Sequence, residues 1–277
     1  MAGLTLTVSE PRGQTAGSPL SLHQGLPVVS GPHWPGLAMF TTTRLAGRNG
    51  ALPALDLADQ TDRRRLEDTL PGPVSWLAQV HGTQVVNEAD IQTAGATAIL
   101  PQADALITIR KNRVLSIVTA DCLPVVLGCS RGRLAGLVHA GWRGLAAGVL
   151  EAALAALHEV NTATDTQWRA WIGPSITQPH FEVGADVYRA FTTSDSACQM
   201  FFLPGVRQGK WLADLQGLAR YRLQRAGVGR VDISGQCTWR RADWFHSYRR
   251  NPRTGRQVTV VWLQGANHLP SLTVPHR

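Results

Sequence analysis

Three side chains that bind transition metals well, His81, Cys122 and His139, each stand at or near the end of a short apolar run. They are too far apart along the chain for a zinc finger, whose ligands come in close pairs. A catalytic zinc site differs, because its three protein ligands come from separate elements and leave the fourth position for water or substrate. The spacing therefore favours one open metal site. The alternative is an inert buried thiol and two hydrogen-bonded core histidines.

Two carboxylates accompany these candidate ligands. Asp121 directly precedes Cys122, and Asp104 begins another predicted strand. A carboxylate can accept the second ring N–H of a metal-bound imidazole and so orient the ring, whereas at a turn it can equally bond free backbone N–H groups. The sequence leaves both roles open for both residues, and it makes Asp121 the candidate for acid–base chemistry.

Two arginine-containing segments offer sites for anions. Arg143 lies in Gly141-Trp142-Arg143-Gly144, which opens a predicted helix whose free N–H groups attract anions; the alternative is a solvated arginine on a tight turn. Residues 245–250 bring Ser247 and Arg249 together with aromatic rings, which suits an aromatic base or a phosphate, or else forms a plain polar loop. No P-loop, dinucleotide fingerprint or nucleophile elbow occurs. Nucleoside triphosphates and dinucleotide cofactors are therefore not indicated.

Strands and helices in irregular alternation must position these groups. Because there is no regular βαβ period, we predict a single mixed α/β domain over residues 27–277 rather than a doubly wound fold. A flexible N-terminal arm without sustained periodicity precedes it over residues 1–26. The predicted strands cover 36–43, 74–80, 84–87, 104–110, 114–120, 124–128, 134–138, 168–172, 228–234 and 258–263, and the predicted helices cover 63–70, 144–159, 184–191 and 212–226.

The bulk composition is that of an ordinary soluble chain. Of 277 residues, 44% are hydrophobic, and the formal net charge of +8 comes almost wholly from arginine. The arginines are scattered, so nucleic acid is not expected as a partner. The four cysteines fit no disulfide framework, and there is neither a signal peptide nor an apolar run long enough to span a membrane. We therefore expect a cytoplasmic protein without a membrane partner.

A series of short motifs occurs in a fixed order along the chain. In that order, the series resembles the laccase-domain family, whose members are also called multicopper polyphenol oxidases or purine nucleoside phosphorylases. The resemblance covers about residues 36–264. The motifs are Thr42-Thr43-Arg44, Gln79-Val80-His81-Gly82, Ala103-Asp104-Ala105, Thr119-Ala120-Asp121-Cys122-Leu123-Pro124, His139-Ala140-Gly141-Trp142-Arg143-Gly144, Ile172-Gly173-Pro174-Ser175-Ile176, Phe181-Glu182-Val183-Gly184, Cys237-Thr238, Ser247-Tyr248-Arg249-Arg250 and Thr254-Gly255-Arg256.

The resemblance implies a layered α/β/β/α fold with mixed sheets and one zinc ion held by His81, Cys122 and His139, with copper as the alternative metal. It also implies phosphorolysis of adenosine, inosine, guanosine and 5′-methylthioadenosine, together with adenosine deamination. An older description of the family is that of copper-dependent phenol oxidases. Some bacterial members are linked to the editing of peptidoglycan precursors.

One segment departs from the family pattern. After the Thr-Thr-Arg motif, members usually carry a Ser-Leu-Asn-Leu-Gly-type run and then a His-Val-Gly-Asp-like stretch. Here residues 47–59 are shortened, the histidine is missing, and Asp56 stands where an asparagine is usual. This segment is expected to help form the substrate pocket, so the departure bears on substrate choice.

The leading hypothesis is a zinc-dependent enzyme acting on purine nucleosides, with phosphate as the second small molecule. Arg143, assisted by Arg44, is predicted to bind the phosphate, and Ser247 and Arg249 to contact the substrate. A copper-dependent phenol oxidase is the first alternative, although multicopper sites need more histidines than the nine present. A non-catalytic, metal-stabilised binding protein is the second. Either a monomer or a homodimer is compatible with the sequence.

Overall fold

Two six-stranded mixed sheets form the centre of the molecule in a computed structural model, which describes residues 20–45, 56–57, 59–91, 100–163 and 166–265. The first sheet has the order β1-β2-β3-β15-β7-β4, the second β14-β10-β8-β9-β6-β5, and a small third sheet β11-β13-β12. The strands are β1 (Leu20–His23), β2 (Leu26–Ser30), β3 (Leu37–Thr42), β4 (Val74–Ser75), β5 (Val85–Asn87), β6 (Ala105–Thr108), β7 (Val114–Thr119), β8 (Leu123–Cys129), β9 (Ala135–Ala140), β10 (Trp168–Ile172), β11 (Glu182–Val183), β12 (Phe202–Pro204), β13 (Trp211–Ala213), β14 (Arg230–Ile233) and β15 (Gln257–Leu263).

Five α-helices accompany the sheets in the described part of the chain. They are α1 (Gln60–Glu67), α2 (Trp142–Ala147), α3 (Val149–Glu159), α4 (Ala185–Thr192) and α5 (Leu215–Arg225). No helix among the described residues is long and apolar enough to cross a membrane.

The two large sheets pack face to face, because their strands are apolar on both sides. Successive side chains of a strand point to opposite faces, so Leu115 and Ile117 of β7 join the core between the sheets, together with Val126 and Trp171 from the second sheet. Val114, one residue earlier, belongs to a different cluster on the outer face. The period of two along a wholly buried strand thus builds two cores from one segment.

Helices cover the outer faces of both sheets. Leu66 of α1 is fully buried against the first sheet. On the other side, α3 packs its apolar stripe against the second sheet, where β9 lies beneath it. The order helix, sheet, sheet, helix confirms the predicted α/β/β/α layering with mixed sheets.

The predicted helix over residues 144–159 is in fact two helices. Gly148 separates α2 from α3 with a backbone φ of 101°. An L-residue rarely adopts this left-handed conformation, whereas glycine does so without a Cβ clash. The break turns the chain between the residues beside the metal ligands and the helix that packs on the sheet.

The predicted strand over residues 74–80 is mostly irregular, since only Val74–Ser75 forms β4. The Gln79 side chain replaces the missing ladder: its Nε2 donates to Val118 O at 2.8 Å and its Oε1 accepts from Val118 N at 2.8 Å. This amide holds the segment against β7 while leaving the backbone free to turn toward His81.

The end of the predicted N-terminal arm is part of the first sheet. Residues 20–23 form β1, which pairs antiparallel with β2. Gln24 and Gly25 connect them with φ values of 45° and 87°, the pattern of a two-residue hairpin turn. The prediction of a flexible arm extending to residue 26 is therefore wrong for residues 20–26, and residues 1–19 lie outside the described part of the chain.

Candidate metal centre

The three predicted metal ligands lie together at one end of the two sheets. The donor atoms of His81, Cys122 and His139 are all within 4.8 Å of one another. His81 comes from the turn before β5, Cys122 from the turn between β7 and β8, and His139 from β9. Among the described residues, no fourth histidine, cysteine or carboxylate joins this cluster. Its composition is that of an open site with three protein ligands.

A buried carboxylate, Asp104, fixes the turn that carries His81. It accepts hydrogen bonds from the backbone N–H groups of Val80, His81 and Gly82 at 3.2, 2.9 and 2.6 Å. His81 has a φ of 61°, which is uncommon for a residue other than glycine and persists only when the surroundings hold it. Asp104 supplies that restraint from a fully buried position.

The same carboxylate orients a second ligand. His139 Nδ1 lies 2.8 Å from Asp104 Oδ1. A carboxylate only accepts, so Nδ1 carries the proton and Nε2 keeps its lone pair for a metal. The sequence left this role open between Asp121 and Asp104, and the hydrogen bonds assign it to Asp104. The register explains the contact, because Ala105 pairs with Val138 and brings the preceding and following residues side by side.

The charges of the cluster favour metal binding. Burial opposes ionisation of the Cys122 thiol, but hydrogen bonds from His139 and His81 outweigh it and lower the thiol pKa to about 6. Burial likewise opposes protonation of His139, but Asp104 and the Cys122 thiolate together raise its pKa to about 9. Without an ion, the pair is therefore a thiolate beside an imidazolium; a metal that binds there displaces the Nε2 proton of His139, while Nδ1 keeps the proton that it donates to Asp104. The thiolate is the form of cysteine that binds metals.

Two glycines allow the close packing around the ligands. A Cβ at Gly141 would lie 2.7 Å from His81 Cδ2 and 3.2 Å from Cys122 Sγ. A Cβ at Gly144 would lie 2.7 Å from the carbonyl oxygen of Gly82. Glycine is required at both positions because the helix α2 begins directly against the ligand turns.

The hydrogen bonds of Asp121 fit the turn role, one of the two that the sequence left open for it. Its carboxylate accepts from Thr238 Oγ1 at 2.6 Å, from Ser247 Oγ at 3.0 Å and from Arg249 N at 2.7 Å. Asp121 thus ties the turn before Cys122 to two distant loops and does not contact either ligand imidazole through a hydrogen bond. Ser247, expected to bind substrate, is fully buried, and its hydroxyl donates a hydrogen bond to Asp121.

A cavity of about 630 Å³ opens beside the ligands. It has a polar floor at the metal ligands, three guanidinium groups and several aromatic rings. The residues that line it are Gln79, His81, Val118, Thr119, Ala120, Asp121, Cys122, His139, Trp142, Arg143, Ile176, Phe181, Tyr248, Arg249 and Arg256.

The arginines differ from expectation at one position. Arg143 lies over the Trp142 ring at 4.3 Å, and Arg249 lies over the Phe181 ring at 5.1 Å, so both contact a cavity wall through cation–π geometry. Arg44 is exposed, donates from Nη1 to Ala242 O at 3.3 Å, and does not line the cavity. Arg256 lines it instead. The Thr254-Gly255-Arg256 motif was the sequence signal for this residue.

The fold and site define a class: a layered α/β/β/α protein with one His–Cys–His cluster at the base of a basic cavity. The sequence model of the family described as multi-copper polyphenol oxidoreductase laccase matches residues 56–264, and the chain belongs to this family. This confirms the resemblance inferred from the motifs.

Relatives with a stated activity are similar over nearly their whole length. A purine nucleoside phosphorylase of Xylella fastidiosa strain 9a5c is 40% identical over 248 residues, covering 88% of this chain and 91% of that protein. A purine nucleoside phosphorylase of Pseudomonas aeruginosa PAO1 is 39% identical, covering 84% and 97%. A crystal structure of a Neisseria meningitidis protein of the DUF152 family is 36% identical, with a TM-score of 0.76 over 86% of this chain and 99% of that one.

The donor set fits a single transition-metal ion. One thiolate and two imidazoles are ligands of catalytic zinc, and the same set with an added weak axial ligand is used by copper. The Asp104–His139 hydrogen bond is the orienting contact that metal-binding histidines normally have. A multicopper centre would need further clusters, and the described residues contain one.

Proposed function

We propose that the protein is a zinc-dependent purine nucleoside phosphorylase that also deaminates adenosine. The observation that carries the proposal is a cluster of three candidate metal ligands in the wall of a cavity that three arginines and several aromatic rings also line. The names of the relatives support the choice of purine nucleosides. Adenosine, inosine, guanosine and 5′-methylthioadenosine are the proposed substrates.

Phosphorolysis replaces one bond at the sugar. The bond between C1′ and the base nitrogen breaks and its electron pair goes to the base, which takes up a proton; a phosphate oxygen then bonds to C1′. The products are a free base and a sugar 1-phosphate, which is ribose 1-phosphate for the ribonucleosides and 5-methylthioribose 1-phosphate for 5′-methylthioadenosine. The proton that the base takes up is balanced by the one that hydrogen phosphate loses. Arg143 is assigned to the phosphate, since a guanidinium fork matches two oxygens of the anion. Holding both reactants in one cavity supplies much of the rate gain.

The aromatic walls are assigned to the base. Trp142, Phe181 and Tyr248 line the cavity, and planar rings stack well on a purine. Arg249 is assigned to substrate contact, and its position over the Phe181 ring supports this assignment. Asp121 is assigned to positioning, because its two oxygens already bond three donors from the loops that bear Thr238 and Arg249.

Zinc would be held by His81, Cys122 and His139, and when bound it supplies a Lewis acid that can lower the pKa of water to about 7. Two features of the chain favour zinc binding: the lowered pKa keeps Cys122 as a thiolate, and the bond from Nδ1 to Asp104 leaves His139 Nε2 facing the cluster. All three ligands face the cavity, which supports adenosine deamination as the second activity. A thiolate ligand also supports a reducing compartment, and we propose the cytoplasm.

Product analysis tests the proposal. The full chain is incubated with a nucleoside mixture, with and without inorganic phosphate, and products are separated by chromatography. Free base and ribose 1-phosphate that appear only with phosphate are expected, together with inosine from adenosine. The Cys122→Ala variant should lose both bound zinc and turnover, and unchanged zinc and turnover in that variant would contradict the assignment.

A copper-dependent phenol oxidase is the second candidate, since two histidines and one cysteine also suit copper. Protein purified without added metal is analysed for zinc and copper and assayed with a phenol. Stoichiometric copper with phenol oxidation and no action on nucleosides would replace the first proposal. Full zinc occupancy with neither activity would favour the remaining alternatives, a binding protein or an enzyme that edits peptidoglycan precursors.

A further inference from the structure

The proposed phosphate site leaves open which second cation joins Arg143. Inorganic phosphate carries up to two negative charges near neutral pH, and anion sites in proteins commonly combine several donors. Arg143 is one candidate, but Arg44, predicted to assist it, is exposed and lies outside the cavity lining. The second guanidinium must come from elsewhere in the cavity.

Arg256 is well placed for this task. It directly precedes β15, whose first residue Gln257 pairs with Thr119 at the cavity wall. Its Nη1 donates to the carbonyl oxygens of Thr254 and Gly255 at 2.8 and 3.0 Å, which fixes one side of the guanidinium. Among the described residues, no protein acceptor is bonded to its Nε or Nη2. The side chain is therefore held at one edge while the other edge can receive an anion.

Two residues of the altered segment hold the Arg256 backbone from both sides. Asp56 Oδ1 accepts from Arg256 N at 2.8 Å. Leu57 N donates to Arg256 O at 3.0 Å. A Cβ at Gly255 would lie only 2.2 to 2.4 Å from three atoms of the Asp56 carboxylate. The contact is therefore so close that only glycine fits beside it.

The Asp56–Leu57 pair is itself anchored to α1. Asp62 Oδ2 accepts from Asp56 N at 2.8 Å, and Arg63 Nε donates to Leu57 O at 2.9 Å. The Leu57 side chain is fully buried in the outer core of the first sheet. Hydrogen bonds thus connect helix α1 to the Asp56–Leu57 pair and the pair to Arg256, which lines the cavity.

Arg249 is less suited to the same role. It is exposed, and its Nη1 donates to Glu182 O at 2.8 Å while the guanidinium lies over Phe181. Its place above an aromatic wall fits contact with the base or sugar. Arg256 directly precedes β15 of the first sheet, whereas His139 belongs to β9 of the second, and both line the cavity.

We propose that Arg256 binds the phosphate together with Arg143, and that Asp56 is a positioning residue that sets phosphate affinity through Arg256. The inference deepens the proposed function and rests on it for the identity of the anion. It gives Asp56 and Leu57, two described residues of the altered segment, a defined role, which is to position the Arg256 guanidinium.

Calorimetric titration with inorganic phosphate tests the inference without requiring turnover. The zinc-loaded full chain is compared with Arg256→Gln, Arg256→Lys, Asp56→Ala and Asp56→Asn. Loss of a guanidinium–phosphate contact should weaken binding about tenfold or more in Arg256→Gln. Asp56→Ala should weaken it about threefold to tenfold, whereas Asp56→Asn should stay within about twofold because its amide oxygen still accepts from Arg256 N.

Arg253→Gln is the matched control, since Arg253 is an exposed arginine of the same loop. It should bind phosphate like the unaltered protein. In steady-state assays, Arg256→Gln and Asp56→Ala should raise the KM for phosphate and leave the KM for nucleoside nearly unchanged. A merely structural role would instead lower the melting temperature or the zinc content, which are measured on every variant.

The outcomes separate this inference from the proposed function. Unchanged phosphate affinity in Arg256→Gln, while the unaltered protein performs phosphorolysis, would overturn the inference alone. Weaker phosphate binding in Arg256→Gln than in the unaltered protein, when the unaltered protein binds phosphate but releases no base, would uphold the inference and overturn the proposed function. A second titration uses adenosine 5′-monophosphate. If the Arg256→Gln substitution weakens the binding of this nucleotide but not that of inorganic phosphate, Arg256 binds a phosphate group of the substrate, and its assignment to free phosphate is overturned. If Arg256→Gln does not fold, Arg256→Lys and Asp56→Ala carry the same comparison.

Discussion

Replacing Asp104 by asparagine should damage the metal site, although it exchanges a single oxygen of a side chain that is not itself a ligand. Asp104 Oδ1 accepts hydrogen bonds from His81 N and His139 Nδ1, and Oδ2 accepts from Val80 N and Gly82 N. An amide has one accepting oxygen and one NH2 group that only donates. In either orientation, the NH2 group must therefore face two N–H donors.

Each orientation disables a different ligand. With NH2 toward Val80 and Gly82, the turn that holds His81 at a φ of 61° loses two of its three hydrogen bonds to this side chain. With NH2 toward His139, the ring must accept at Nδ1 and place its proton on Nε2, where it can no longer bind a metal.

The expected loss follows from the effect of such orienting groups. Removal of a hydrogen-bond partner of a metal ligand typically weakens metal binding about 10- to 100-fold, or about 1.4 to 2.8 kcal/mol. We expect a loss at the upper end for Asp104→Asn, because the carboxylate supports His81 and His139 together.

Competition with a chromophoric chelator measures the zinc affinity of Asp104→Asn. Asp243→Asn is the control, since Asp243 is an exposed carboxylate paired with Arg241. It should bind zinc like the unaltered protein. Zinc affinity within twofold of normal in Asp104→Asn would refute the assignment of Asp104.

The other predictions concern the neighbouring groups and the backbone. Asp121→Asn should keep zinc affinity and keep kcat within about threefold, since Thr238 and Ser247 hydroxyls can rotate to suit an amide; a loss of kcat above a hundredfold would make Asp121 an acid–base group. In metal-free protein, the thiolate absorbance of Cys122 should persist as the pH falls and disappear with a midpoint near 6, because its pKa is lowered to about 6; a midpoint above 8 would contradict the hydrogen bonds from the histidines. Chelation of zinc should leave the far-ultraviolet circular dichroism unchanged, since apolar cores hold the sheets; unfolding on chelation would contradict this. Gly148→Ala should lower stability by about 1–2 kcal/mol in thermal denaturation, since its φ is 101°.

The sequence led to the cluster of His81, Cys122 and His139 because each of these residues is marked by its own local motif. Asp104 was harder to assign, because its role depends on the pairing of β6 with β9, which places it beside His139. Strand pairing is a long-range property, and a carboxylate at the start of a strand looks locally like a turn residue.

The arginines show the same limit. Arg44 and Arg256 both lie in motifs, and nothing in their local sequence tells which one faces the cavity. The answer depends on a contact between Asp56 and Arg256, which are 200 residues apart. Similarly, the apolar period over residues 144–159 predicted the buried face of the helix, but the positive φ at Gly148 divides it in two.

The division of the site between the two sheets has a consequence for how the reactants are held. His139 belongs to the second sheet and Arg256 adjoins the first, so the core between the sheets fixes the distance from the metal ligands to this guanidinium. Trp171 and Ile117 fill that core and are almost fully buried. Well-packed interiors resist small changes in volume. The same apolar packing that stabilises the fold therefore sets the separation between the metal-binding end of the cavity and the proposed phosphate-binding arginine.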